Sequence, residues 1–369
     1  MITLPPPIFV DTDPAAILAA LKADYEARAG KVLEPGQAEQ ILIDLFAYRE
    51  SVLRGAVQDA GKQNLLAFAR APMIDYLGEL LGVFRLAAAS ATIDVDFTLT
   101  PGSGALVIPQ GLRIRSTDGK AVFLLIAPVT VAPGAVSASG KFIAQLAGTF
   151  ANGYAIGAVS VIMDPQPYLT AVTNTTASNG GSDQESDDEL RERIRLAPSS
   201  FSTAGPTGAY KYFARSAHPS IIDVGVDMPV AGTVNVYPLS TLGMPTPVQV
   251  LDAVDDALSA ETVRPLSDTV NVISPTPLDY SIDVQIVIYE AADQPAVEAA
   301  LNTALQEYAD QRSKQLGMDI MLSQLIRVAN DLADIYDVII VSPGADVITG
   351  SPSVVTNCTG ITVTTTGVH

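Results

Sequence analysis

Five carboxylates lie within seven positions of one another near the middle of the chain, and they are the first candidates for chemistry. They are Asp183, Glu185, Asp187, Asp188 and Glu189. A calcium loop of the EF-hand type needs acidic residues at alternate positions, a central Gly and a later Glu, and the cluster lacks this spacing. A helix N-terminus accounts for the same residues better, because Ser186 and Glu189 have the spacing of a capping box. We predict a capped helix here and no calcium site.

The other residues that usually bind metals or act as nucleophiles and bases are scarce. The chain has two histidines, His218 and His369, and one cysteine, Cys358. These are too few and too far apart in the sequence for a zinc site with soft ligands. The nucleophile-elbow, P-loop and dinucleotide-binding fingerprints are also missing. We therefore predict no catalytic residue, no metal ligand and no cofactor.

The composition limits the class of partner. The chain has 369 residues, with 21 Lys and Arg against 40 Asp and Glu, a formal charge of -19. Binding to nucleic acid or to anionic lipid requires basic residues, so neither a nucleic-acid nor a membrane partner is expected. Hydrophobic residues make up 48% of the chain although Trp is missing. This surplus of small apolar residues suggests faces that are buried against other subunits.

Residues 1–88 have the 3.6-residue periodicity of helices. In a helix over residues 37–58, two adjoining stripes of apolar residues form an arc that is wider than a surface helix needs. The first stripe is Ile41, Leu45, Tyr48 and Val52, and the second is Leu42, Phe46, Leu53 and Val57. A helix at the centre of a core and a helix in a bundle with a partner fit this pattern equally well.

From Ala91 onward the apolar period becomes two, which indicates short strands. We predict a β-rich module over residues 89–179, built as a small sandwich or barrel. Residues 136–139 and 142–147 are predicted as separate strands, and residues 164–181 as an extended linker. Helices and strand pairs follow in an α+β domain over residues 180–275 and a C-terminal α+β assembly domain over 276–369, with a final strand at 361–364. The expected fold class is α+β multidomain, with an N-terminal helical region and a middle all-β module.

Several motifs in this order resemble those of the baseplate J-like family of contractile phage tails and phage-tail-like bacteriocins. The GG-D-ES-D-LR-RI signature is similar to Gly180-Gly181-Ser182-Asp183, Glu185-Ser186-Asp187, Leu190-Arg191 and Arg193-Ile194. Upstream motifs are Ile108-Pro109-Gln110-Gly111, Asp118-Gly119, Gly148-Thr149 and Ala151-Asn152-Gly153. Downstream motifs are Val263-Arg264-Pro265-Leu266-Ser267-Asp268, Leu316-Gly317 and Asp319-Ile320. The resemblance runs from about residue 40 to the end of the sequence.

The resemblance implies a structural wedge protein of a tail baseplate, without enzymatic activity. Two copies would pair with one copy of a second wedge protein through an N-terminal helical bundle, which places the arc of Ile41–Val57 at that interface. C-terminal contacts between copies of the chain would link wedges into a ring around the hub that opens when the sheath contracts. Sheath-initiator and hub proteins would be further partners. Assembly would take place in the bacterial cytoplasm, before the particle is released.

Two further functions are weighed against this one. A tail-associated glycan-processing enzyme would need a pair of Asp or Glu residues that the sequence does not single out. A carbohydrate-binding module over residues 90–165 would have few aromatic side chains for stacking on sugars. One expectation concerns the signature that begins at Gly180. We expect Gly180, Gly181, Ser186 and Glu189 to form a structural hinge and cap at the start of the helix that follows Ser186.

Overall fold

The computed structural model describes residues 5–101, 104–201, 206–241, 244–259 and 269–369. The chain divides into two compact units. One consists of the residues up to Phe84 together with Ser186–Ile194, and the other of Arg85–Glu185 together with Arg195–His369. The predicted fold class, α+β multidomain with an N-terminal helical region and a middle β module, is confirmed. The motif over residues 263–268 lies outside the described residues.

The first unit is helical. Helix α1 (Pro14–Ala29) begins after Asp13, whose side chain accepts a hydrogen bond from the Ala15 amide, and ends at the left-handed Gly30. It packs against α2 (Ala38–Gln63). The short helix α3 (Met73–Glu79) follows. Helix α4 (Asp187–Leu196) belongs to this unit as far as Ile194.

The second unit begins with an antiparallel, barrel-like sheet. The described residues of this region form eight strands, which are β1 (Thr92–Leu99), β2 (Leu106–Ile108), β3 (Arg113–Ser116), β4 (Val122–Leu125), β5 (Val129–Val131), β6 (Ser137–Ala144), β7 (Val159–Ile162) and β8 (Leu169–Asn174). Six of them form one sheet in the order β7-β3-β4-β6-β1-β8, while β2 pairs with β5. Alternate residues of β1 point inward, and its Val95 and Phe97 are almost fully buried.

The residues predicted as an extended linker, 164–181, instead complete the barrel. Strand β8 pairs with β1, and the buried Asn174 joins it to the opposite edge. The Asn174 side-chain oxygen accepts a hydrogen bond from the Val159 amide of β7 at 2.8 Å. Only Leu169 and Val172 signal this strand in the sequence, because the neighbouring positions are small or polar and a linker has the same composition.

A three-stranded sheet with two helices on one face follows. Its elements are α5 (Thr207–Ala217), β9 (Ile221–Val230), β10 (Thr233–Ser240), α6 (Val248–Ser259) and β11 (Thr269–Val272). Strand β10 lies between antiparallel β9 and parallel β11. Helix α6 contributes Val250, Val254 and Leu258 to a core shared with Tyr210 of α5 and Val236 of β10.

The C-terminal part repeats this two-layer design with longer strands. Its elements are β12 (Thr276–Ile288), α7 (Gln294–Ser313), α8 (Leu322–Asn330), β13 (Ile335–Ser342) and β14 (Val354–Val368). Central β12 pairs antiparallel with β13 and parallel with β14. The predicted final strand at 361–364 is much too short. The Thr-rich sequence of β14 lacks a strong apolar alternation, and its pairing with β12 extends it to fifteen residues.

The two α+β parts of this unit meet at a close backbone contact. The Asp223 carboxylate of β9 accepts a hydrogen bond from the Leu316 amide at 2.9 Å. A Cβ atom at Gly225 would overlap the carbonyl oxygen of Pro352, so only glycine permits this approach.

Candidate assembly surface

Helix α2 exposes nearly its whole apolar arc. The eight residues of the two stripes, here called the α2 face, are each between 52% and 65% exposed. They are Ile41, Leu42, Leu45, Phe46, Tyr48, Val52, Leu53 and Val57. The remaining side of the helix is covered from within the chain, because Ile43 and Ala47 are buried where α1 packs against α2. The α2 face is therefore not part of any core that the described residues form.

The amount of exposed apolar surface indicates an unfilled interface. Covering a half-exposed Leu, Ile or Phe side chain contributes roughly 1 kcal/mol, so the α2 face could contribute about 8 kcal/mol. Association itself costs on the order of 4–15 kcal/mol. One helix laid along one stripe would thus leave little net affinity, whereas a bundle that covers both stripes would be more stable.

In the part of the chain that the structure describes, no helix is long and apolar enough to span a membrane.

One end of the α2 face forms a groove of about 510 Å³. Its apolar lining is Val10, Leu21, Phe46, Leu53 and Val57. The charged residues at its rim are Arg49, Glu50 and Arg54. Arg54 donates to the Glu50 carboxylate at 2.9 Å, whereas Arg49 has no hydrogen bond or ion pair with any described residue.

Elsewhere in the first unit, the N-terminus of α4 has the hydrogen bonds of a capping box. The Ser186 amide donates to the Glu189 carboxylate at 2.8 Å, and the Glu189 amide donates to the Ser186 hydroxyl at 3.4 Å. Asp187 accepts a hydrogen bond from the Ala71 amide. The arrangement ties the start of α4 to the α3 region of the same unit.

Gly181 belongs to a set of hydrogen bonds between residues 148–152 and residues 181–183 beside the barrel, here called the barrel lock. The Asn152 amide group donates to the Gly181 carbonyl at 2.7 Å and accepts from the Gly181 amide at 2.9 Å, as a neighbouring strand would. A Cβ atom at Gly181 would overlap the Gly148 carbonyl and lie 2.8 Å from the Asn152 oxygen. Gly180 has a φ of 89°, in the left-handed region. A hinge role for the two glycines stays a prediction.

The acidic cluster is used for structure. Asp183 accepts hydrogen bonds from the Thr149 amide and hydroxyl, both at 3.1 Å, and so completes the same lock. The largely buried Glu185 accepts from the Leu86 amide at 2.9 Å. Among the described residues, no three His, Cys, Asp or Glu side chains are grouped so that they could hold a metal ion.

His218 is the one described histidine beside a serine hydroxyl, but the pair is closed off from substrate. Its Nδ1 lies 2.8 Å from the Ser220 hydroxyl and accepts from the Ser220 amide at 3.1 Å. Ser220 is only 1% exposed and also accepts from the Ser240 hydroxyl. Burial lowers the pKa of His218, while a hydrogen bond to the Gly180 backbone raises that pKa by a smaller amount. The neutral ring therefore holds the turn that leads into β9.

Sequence reasoning missed the amide side chains that substitute for backbone partners. Asn152 and Asn174 close the barrel in this way, and Gln58 does the same for an extended segment in the first unit. Polar residues in a surface pattern look like solvated positions. Asn152 did stand in one of the sequence motifs, Ala151-Asn152-Gly153, but nothing in the sequence indicated which backbone groups its amide would bind.

Comparisons with known proteins match these parts of the chain one after another. Four family models match, which are the Baseplate J-like N-terminal domain over residues 40–92, the Baseplate J-like protein barrel domain over 94–181, the Baseplate J-like central domain over 202–274 and the Baseplate J-like protein C-terminal domain over 280–364. Baseplate protein J of Escherichia phage P2 is 31% identical over 200 residues, which are 54% of this chain and 65% of that protein. The match thus spans slightly less than two thirds of the P2 protein.

Among solved structures, a chain in the cryo-EM structure of the anti-feeding prophage baseplate is similar at 14% identity and a TM-score of 0.46. That match covers 93% of this chain and 90% of the other. The four family models follow one another in order from residue 40 to residue 364. The chain therefore belongs to the baseplate J-like protein family.

Proposed function

We propose that this chain is a structural wedge component of the baseplate of a contractile tail or injection particle. Two copies would join one copy of a second wedge protein in a helical bundle that is built around α2. Contacts between C-terminal parts of neighbouring copies would link the wedges into a ring around the hub, with the sheath initiator as a further neighbour. The family points to a non-enzymatic role, and the wedge would assemble in the bacterial cytoplasm before the particle is released.

The α2 face is the observation that supports this proposal most strongly. Eight large apolar side chains that are each more than half exposed on one 26-residue helix are costly unless a partner covers them. Two adjoining stripes provide for two neighbouring helices at once. In a complex of two copies with one partner, the α2 face of each copy would contact different helices. An apolar face that is two stripes wide accommodates this difference better than a single stripe would.

Contraction of the sheath would change the contacts between wedges rather than the fold of each wedge. The buried cores of the barrel and of the two α+β parts suit bodies that keep their shape. Interfaces between such bodies can switch between two packings, and this is how a trigger would be relayed around the ring.

Native mass spectrometry of this chain, co-expressed with the second wedge protein of the same particle, tests the proposal. We expect a species with two copies of this chain and one copy of the partner. Leu45→Asp and Leu53→Asp, both on the α2 face, should abolish it, since each would bury an unpaired carboxylate. Leu146→Asp is the matched control, because Leu146 is 66% exposed and lies in the barrel region. Absence of the 2:1 species with the unmodified chain would contradict the wedge assignment.

A further inference from the structure

The N-terminal arm (residues 5–11) is held against α2 by one amide side chain. The Gln58 Oε1 accepts hydrogen bonds from the Phe9 amide at 2.8 Å and the Val10 amide at 3.2 Å, and its Nε2 donates to the Pro7 carbonyl at 2.6 Å. Three hydrogen bonds from one side chain to the backbone fix the position of an extended segment without regard to its side chains. Arg54 adds a fourth, from Nη1 to the Asp11 carbonyl at 3.3 Å.

A glycine makes room for the single aromatic ring of the arm. A Cβ atom at Gly61 would lie 2.6 Å from Cδ2 of Phe9 and 3.0 Å from its Cγ, so the ring rests directly on the helix backbone. By contrast, a Cβ atom at Gly55, also in α2, would have no atom within 4 Å. Glycine inside a helix is unfavourable, and the contact with Phe9 gives Gly61 a physical reason.

The arm continues the intrachain cover of α2 where α1 ends. Ile43 and Ala47 occupy one side of α2 at helical spacing, and Arg54, Gln58 and Gly61 continue that side toward the C-terminus of the helix. Helix α1 packs on the first part, and the arm lies on the second. Between them, the half-buried Val10 of the arm lines the apolar groove with Phe46, Leu53 and Val57.

We propose that the N-terminal arm is a fixed part of the partner-binding surface, in which Gln58 and Gly61 hold Val10 in place as one wall of the groove. The occupant of the groove is an amphipathic helix of the second wedge protein. The rim fits a carboxylate beside the apolar stripe of that helix, because Arg49 is the rim cation without a described partner, whereas Arg54 already pairs with Glu50. This inference rests on the proposed function.

The dissociation constant of the complex with the second wedge protein, measured with the full-length chain, tests the inference. Gln58→Ala removes the three hydrogen bonds to the arm, and Gly61→Ala displaces Phe9 while favouring the helix. Each should weaken binding about tenfold. Hydrogen exchange should become faster at the Phe9 and Val10 amides in both variants. Gly55→Ala, which has the same helical preference but no contact, should leave the exchange of the arm unchanged.

Arg49→Glu should weaken the same complex about tenfold, and the loss should shrink at high salt, whereas Arg49→Lys should bind nearly as the unmodified chain does. Faster exchange of the arm with unchanged or tighter binding would overturn the role of the arm. If Leu53→Asp abolishes binding in that same experiment, the proposed function stands and only this inference fails. If neither Leu53→Asp nor Gln58→Ala affects binding, the interface on α2 itself is wrong.

Discussion

The barrel region and helix α2 use the same apolar residue types in opposite ways. In the barrel, Phe97, Phe123 and Phe142 are at most 1% exposed and belong to one buried core, in which the rings of Phe97 and Phe142 are in contact. On α2, Phe46 is 63% exposed in a groove that nothing in the described chain fills. The glycines show the same contrast, since Gly181 is packed against backbone whereas Gly55 faces open space. The described residues of the barrel bury their own apolar side chains, whereas those of α2 stay exposed, and the proposed partner is what would cover them.

The largest effect should come from truncating matched aromatic residues in the two regions. Phe97→Ala should lower the free energy of unfolding by about 3–5 kcal/mol, because it opens a cavity in the barrel. Phe46→Ala should change it by less than about 0.5 kcal/mol in the isolated chain. Calorimetry on both variants measures the difference. Similar losses at the two positions would mean that Phe46 is buried in solution, contrary to the comparison.

A smaller loss is expected from a glycine of the barrel lock. Gly181→Val places a branched side chain against the Gly148 carbonyl and Asn152, and should cost about 3 kcal/mol through strain and lost hydrogen bonds. Gly104→Val in the same region is the control, because a Cβ atom there meets nothing within 4 Å. Urea unfolding followed by tyrosine fluorescence compares the two. We also expect Gly181→Val to impair ring assembly, and normal rings would show that the lock is dispensable.

The capping box should contribute less. Ser186→Ala removes the hydroxyl that accepts from the Glu189 amide, and should cost about 1 kcal/mol. Ser186→Thr keeps the acceptor and should restore most of that stability. Hydrogen exchange at the first amides of α4 reports the loss directly. Equal protection in the Ala and Thr variants would show that the cap does not stabilise this helix.

The smallest effect should appear only in acid. The pKa of His218 is lowered from its ordinary value of 6.5, chiefly by burial. The unfolded chain therefore takes up this proton at a higher pH than the folded chain does. The stability that depends on a neutral His218 is fully present above pH 6.5 and falls as the pH drops through the lowered pKa. His218→Gln should flatten this part of the pH profile of the melting temperature, and an unchanged slope would contradict the assignment.

Most helices and strands could be predicted from the sequence. Burial of one side of a helix places apolar residues every three to four positions, and burial of one face of a strand places them at every second position. Prediction failed where the cause is a contact distant in the chain. Gly140 was expected to separate two strands, yet it lies inside β6, where a Cβ atom would come within 2.8 Å of Leu125 and 3.1 Å of Phe97. That glycine serves packing, and no local pattern distinguishes it from a turn.

The candidate assembly surface was likewise predictable only where the pattern is local in the sequence. The α2 face could be listed from the sequence because apolar spacing along a helix is local. Whether it is covered by this chain or by another could not be read from that spacing, since both cases have the same arc. The holding of the arm by Gln58 was also hidden, because it joins residues about fifty positions apart.

Hydroxyl-radical footprinting of α2, in the isolated chain and in intact particles, tests the central claim most directly. Phe46, Tyr48 and Leu53 are exposed in the isolated chain and should be oxidised readily there. In the particle we predict strong protection of all three residues, because helices of the wedge bundle would cover them. Equal oxidation in the isolated chain and in the particle would contradict the account.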